Sequence, residues 1–199
     1  MADDKQGRDD QADDANRRQR VRAIKEELER RDEPEPPVDP SELAYFETEL
    51  EAVEFPATGD ELVATLGDRE LDAADGTYAI AELFPESDVE TFESPTAVRE
   101  RVERPNVAAT MKRIVEASES LPREKLGGSQ WDAYQKTLRE LAAIDADDDD
   151  EGVRVIGDWI LERIREKEKL PGSRGVRREA AKFCRENGYE IRNDEWLGV

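Results

Sequence analysis

Apolar residues recur at the spacing of amphipathic helices along the second half of this chain. Within residues 105–199, four successive stripes place apolar side chains about three or four positions apart, which is typical of helices with one buried face. The stripes are Val107, Met111, Ile114, Val115 and Leu121; Trp131, Tyr134, Leu138 and Leu141; Val153, Ile156, Ile160 and Ile164; and Val176, Ala180, Phe183 and Cys184. We therefore predict a helical unit over residues 105–199, with a short terminal β segment at residues 189–191.

Residues 39–104 combine helical and strand patterns. Helix starts are indicated by a proline at a first helical position, Pro40, and by a capping box formed by Thr58 and Glu61. Two short segments with strand character flank Asp75-Gly76, which is a hairpin signal. This region predicts a small α+β unit, and the fold class expected for the whole chain is mainly α.

Residues 1–38 differ from the rest by composition. The first 16 residues contain six aspartates and almost no apolar side chain, which is typical of disorder. A charged helical stretch follows at residues 17–31, and the proline-rich residues 32–40 predict a semi-rigid linker. We therefore divide the chain into a tail, charged helix and linker (1–38), the α+β unit (39–104) and the helical unit (105–199).

Composition argues against several function classes. The chain has no histidine, so the commonest general base and metal ligand are missing, and its single cysteine excludes disulfide frameworks and multi-cysteine metal sites. Apolar runs fall short of the roughly 20 residues that a membrane span needs, and the acidic, polar N-terminus does not resemble a signal peptide. We expect no enzyme, no catalytic residues, no cofactor, no metal and no membrane partner.

The net charge indicates the surroundings in which the chain works. It carries 51 acidic and 30 basic side chains, a net charge of −21. Such a chain repels itself in dilute solution, whereas molar salt shortens the screening length to about 3 Å. Because the acids are spread along the whole sequence, they favour adaptation to a salt-rich cytoplasm over mimicry of a nucleic acid. We therefore expect a halophilic, cytoplasmic protein.

Residues 55–102 carry several features of a known family. These features are Phe55-Pro56, Gly67-Asp68 with the strand pattern that follows, Asp75-Gly76, and Phe92-Glu93-Ser94-Pro95 at a helix start. In them the segment, about a quarter of the chain, resembles a family of small acidic haloarchaeal proteins of unknown function. The resemblance implies a haloarchaeal origin, in agreement with the charge. It implies no activity, because none is assigned to that family.

The fourth predicted helix is rich in basic residues, although the chain as a whole is acidic. On the fourth predicted helix, basic residues recur on the side opposite the apolar stripe, and we predict that they form a binding face. The candidate residues are Arg174, Arg177, Arg178, Lys182 and Arg185. Because this helix follows a tight turn at Pro171-Gly172, the last two helices resemble a helix-turn-helix module.

Two functions are open for this binding face. The first is a non-catalytic protein-interaction or regulatory protein, in which the face contacts a protein partner. The alternative is a nucleic-acid-binding protein that places the basic helix against phosphates. High salt weakens phosphate binding, so we prefer a protein partner. An open and continuous basic stripe would favour nucleic acid, whereas a covered stripe would favour protein; the oligomeric state stays open.

Overall fold

The structure, a computed structural model, describes residues 37–87, 90–122, 125–144 and 150–189. These residues belong to one compact unit, Pro36–Val199. About two thirds of them are helical, which confirms the mainly α fold class. Among these residues, none of the helices combines the length and the apolar content needed to cross a membrane. The predicted acidic tail and charged helix lie outside the described residues, as does the predicted terminal β segment beyond Tyr189.

The N-terminal part combines short helices with two antiparallel strand pairs. In chain order its elements are α1 (Pro40–Glu49), a 3-10 turn (Leu50–Ala52), β1 (Ala57–Thr58), α2 (Gly59–Leu66), β2 (Glu70–Ala73), β3 (Gly76–Ala79), α3 (Ile80–Leu83), β4 (Thr91–Phe92) and α4 (Pro95–Val102). β1 pairs with β4, and β2 pairs with β3 so that Ala73 lies opposite Gly76. The predicted small α+β part is therefore present.

Local capping and turn chemistry explains two of these boundaries. The predicted capping box begins α2: Oγ1 of Thr58 accepts from the backbone N–H of Glu61 at 3.3 Å, and the Glu61 carboxylate accepts from the N–H of Thr58 at 2.8 Å. The turn between β2 and β3 requires a φ of +149° at Gly76, a backbone conformation that disfavours any side chain. Both features had local sequence signals, and both form where they were predicted.

Four longer helices make up the remaining described part. They are α5 (Pro105–Glu119), α6 (Gly128–Ala142), α7 (Glu151–Lys167) and α8 (Ser173–Asn187). They carry the four predicted apolar stripes, whose side chains are buried except for the partly exposed Leu121 and Trp131. α5 and α7 approach closely at Gly157, where a Cβ atom would lie only 2.4 Å from Cγ2 of Thr110.

The buried side chains form two hydrophobic clusters that share one helix. The first cluster contains buried residues between Val38 and Val102, and it ends with Ala108 of α5. The second contains Val107 and Met111 of α5, together with the inner faces of α6, α7 and α8. α5 is thus packed into both clusters, and the division of the chain at residue 104 stays a prediction.

Candidate functional site

The basic residues singled out on α8 lie mainly on its solvent side. The four exposed ones are Arg174, Arg178, Lys182 and Arg185, which together we call the basic face. Arg177 differs from them because it is only partly exposed and its Nε is buried. The predicted binding face of five residues is therefore, in the fold, an exposed face of four residues beside a half-buried arginine.

The basic face is open, which agrees with the nucleic-acid alternative, but it is not continuously positive. Nζ of Lys182 lies 3.1 Å from the Glu179 carboxylate, and this hydrogen bond raises the pKa of Lys182, with the charge of Glu186 acting in the same direction. By contrast, Arg174, Arg178 and Arg185 form no ion pair among the described residues: no carboxylate oxygen there lies within 4.0 Å of their guanidinium nitrogens. Three guanidinium groups thus face solvent, while carboxylates border the face beside Lys182.

An aromatic side chain adjoins α8 near the start of the basic face. Trp159 of α7 lies beside Gly175, where a Cβ atom would be 4.0 Å from Cη2 of the indole. The guanidinium carbon of Arg163 lies 5.1 Å from the centroid of the Trp159 ring. Tryptophan and arginine are enriched among the residues that dominate binding energy at protein interfaces. An aromatic ring and a further arginine therefore lie beside the basic face.

A second feature is a cleft of about 390 Å³ that sequence patterns did not reveal. We call it the cleft; its walls come from β4, α4, α5 and α6, and its polar lining includes Glu90, Arg101 and Trp131. The Arg101 and Glu90 side chains are only 2% and 10% exposed, and Nη2 of Arg101 lies 3.5 Å from Oε2 of Glu90. An oppositely charged pair is thus buried at the side of a cavity.

Arg101 is held in place by two further contacts. Its Nε donates a long hydrogen bond of 3.4 Å to the carbonyl oxygen of Leu83, the last residue of α3. Its guanidinium carbon lies 5.7 Å from the centroid of the Trp131 ring, within the range of a cation–π contact. Trp131 therefore lies against the arginine, and it is partly exposed rather than buried like the rest of the stripe of α6.

The polar atoms around this pair keep unused hydrogen-bonding capacity. Both carboxylate oxygens of Glu90, both Nη atoms of Arg101 and Nε1 of Trp131 are buried and have no hydrogen-bond partner among the described residues. Burial raises the pKa of Glu90 although the charge of Arg101 acts to lower it. Burial also lowers the pKa of Arg101, partly offset by Glu90. The two side chains thus form an ion pair whose donors and acceptors make no hydrogen bond among the described residues.

Only one member of this group had a signal in the sequence. Arg101 follows Val98 by three positions and precedes Val102, so it occupies the apolar face of α4, where a cation is unexpected. Glu90 had no such signal. Trp131 was predicted within a buried stripe, and it packs against the second hydrophobic cluster from a partly exposed position.

Similarity to known proteins is found over part of the chain only. No curated protein and no solved structure matches it. One family model matches residues 40–110, a segment that contains Glu90, Arg101 and Ala108, the last member of the first cluster. Trp131 and the basic face lie outside this segment. The expected partial resemblance to a family without assigned function is therefore present: residues 40–110 are similar to DUF5789, a family of unknown function.

Proposed function

We propose that this protein is a non-catalytic interaction protein, which binds an acidic surface of a protein partner through its basic face. The observation that carries the proposal is that Arg174, Arg178 and Arg185 are exposed and have no carboxylate partner among the described residues. This occurs in a chain with 51 acidic side chains, where partners for arginine are abundant. Exposed guanidinium groups form strong, often bidentate hydrogen bonds to carboxylates.

The bordering carboxylates favour a protein partner over a nucleic acid. Glu179 is bonded to Lys182, and the charge of Glu186 also acts on that lysine. Phosphates approaching the basic face would be repelled by both glutamates, whereas a protein surface can offer hydrogen-bond donors to them. In the salt-rich cytoplasm that we propose for this chain, counterion release would also add little to phosphate binding. A helix-turn-helix mode for α7 and α8 is thus the alternative that the experiment must separate.

The test is capture of partners on the immobilised protein from a lysate of the source cells at molar KCl. The double variant Arg178→Glu/Lys182→Glu reverses the basic face. The double variant Arg154→Glu/Arg165→Glu is the control, because it changes the net charge equally at exposed positions of α7. Each captured protein is then purified, and its affinity for the wild type, the reversed variant and the control variant is measured by titration.

We expect a protein that binds to the wild type and to the control, survives nuclease treatment and is lost with the reversed basic face. The unfolding temperature of the reversed variant should stay nearly unchanged, since these side chains are exposed and a surface pair such as Lys182–Glu179 contributes little to stability. If the reversal unfolds the protein, the neutral pair Arg178→Gln/Lys182→Gln replaces it. Equal capture by all variants would overturn the proposal, and loss of the partner on nuclease digestion would replace it with nucleic-acid binding.

A further inference from the structure

The buried pair in the cleft is incomplete without a polar partner. A buried ion pair offsets the loss of hydration only when its remaining donors and acceptors are also hydrogen-bonded. Here the closest approach of Arg101 and Glu90 is 3.5 Å, and the two Nη atoms and both carboxylate oxygens lack hydrogen bonds within the described protein. Single waters occupy about 30 Å³ each, whereas the adjoining cavity measures about 390 Å³. A cavity of that size falls within the range of small-molecule sites, roughly 300–1,000 Å³.

The charges around the cleft indicate a neutral ligand. Two acidic side chains, Glu90 and Glu100, and two basic ones, Arg101 and Arg139, line it, so their formal charges cancel. Any net charge brought by a ligand would therefore be buried without compensation, which is costly. Zwitterions and neutral polar molecules avoid this cost.

The spacing of the polar atoms further limits the classes of ligand that fit the cleft. Arg101 provides donors and Glu90 an acceptor 3.5 Å apart, which matches one ring edge carrying a carbonyl oxygen next to an N–H group. Phe92, Val115 and Leu126 supply apolar walls that suit a flat ring. We propose that the cleft binds a neutral nucleobase or nucleoside, with Arg101 donating to a ring carbonyl and Glu90 accepting from the adjacent ring N–H.

Binding requires a movement of Trp131. The polar atoms of Glu90 and Arg101 are closed to solvent, and the Trp131 ring lies against the guanidinium group. Because Trp131 is itself partly exposed, its ring turns aside as the base edge reaches the pair. Its indole therefore changes environment on binding and reports it.

The experiment is calorimetric titration of the full chain with inosine, guanosine and uridine. The matched ligand is 1-methylinosine, in which a methyl group replaces the hydrogen of the ring N–H that would face Glu90. The matched protein variants are Glu90→Gln, in the cleft, and Glu93→Gln, an exposed position on the same segment. Fluorescence of the variant Trp159→Phe/Trp196→Phe, which retains Trp131 as its single tryptophan, gives a second readout.

We expect saturable binding of at least one of the three nucleosides and a change in Trp131 fluorescence over the same concentrations. The methylated ligand should bind at least about tenfold more weakly, because it lacks the donor that faces Glu90. Glu90→Gln should also bind about tenfold more weakly, because its amide oxygen still accepts from the ring N–H but without the negative charge that strengthens this hydrogen bond. Glu93→Gln should bind like the wild type. No saturable binding of any nucleoside, or equal affinities of Glu90→Gln and Glu93→Gln, would overturn the proposal. If Glu90→Gln fails to fold, the comparison of inosine with 1-methylinosine on the wild type decides alone.

Discussion

Replacing Arg101 with methionine should destabilise the protein by about 3–5 kcal/mol, because it leaves the buried carboxylate of Glu90 without its cationic partner. Glu90 can escape the penalty by taking up a proton, and protonating a glutamate of ordinary pKa, about 4.3, at pH 7 costs about 3–4 kcal/mol. The lost hydrogen bond from Nε to the Leu83 carbonyl adds about 0.5–1.5 kcal/mol at most, since it is long.

Removing the second charge should reverse this loss. In Glu90→Gln/Arg101→Met neither charge remains, and replacement of a buried pair by neutral side chains of similar size is often neutral or stabilising, by about 1–4 kcal/mol. Urea unfolding, followed by helical circular dichroism at constant KCl, measures the wild type, both single variants and the double variant. A loss below about 1 kcal/mol for Arg101→Met, which is the scale of an ordinary hydrogen bond, would contradict a strong coupling between the two buried charges. A double variant no more stable than Arg101→Met would contradict it as well.

The pH dependence of the Glu90→Gln variant gives a separate check. Burial raises the pKa of Glu90 in the folded state above its unfolded value. The native state therefore retains this proton over the window between the two values, and wild-type stability falls as Glu90 ionises with rising pH. Glutamine has no proton to lose. The free energy of unfolding of Glu90→Gln, relative to the wild type, should thus increase from about pH 4 towards neutrality; a constant or falling difference would contradict the assigned direction.

Two further predictions concern packing and charge. Gly157→Ala should destabilise the protein by about 1–3 kcal/mol through its clash with Thr110, exceeding the roughly 1 kcal/mol gained in helix propensity. Thr110→Ser removes the methyl group that the new Cβ atom would meet. In that background, urea unfolding should show that Gly157→Ala leaves the free energy of unfolding unchanged or raises it. An equal loss of stability in both backgrounds would contradict the close approach of the two residues. The melting temperature should rise between dilute buffer and molar KCl, where screening shortens to about 3 Å, and no rise would contradict salt adaptation.

Structural features that depend only on residues close together in the sequence could be predicted from it. The helices of the second half follow from apolar spacing, α2 from its capping box, and the β2–β3 hairpin from Asp75-Gly76. The exposed residues of the basic face were also predicted, because helical periodicity alone sets them opposite the apolar stripe. Burial of part of Arg177 was missed, since it depends on how neighbouring helices pack around α8.

The cleft could not be predicted for the same physical reason. Glu90 and Arg101 are 11 positions apart and become neighbours only when α4 packs in the fold. Trp131 lies on a helix beyond the segment similar to DUF5789, and its position against Arg101 depends on contacts that no local pattern encodes. The apolar position of Arg101 on α4 is the one clue that the sequence contained.

The burial of α5 in both clusters limits how the cleft can open. Closure of domains around a ligand usually needs a hinge about which packed bodies move apart. Here Ala108 packs in one cluster while Val107 and Met111 pack in the other, so separating the clusters would bend α5 or expose one of its faces. Rotation of a single partly exposed ring is local and far faster than such collective motion. Ligand entry would therefore be gated by the rotamer of Trp131, and its rate would respond to substitution of that side chain rather than to changes in the connecting loops.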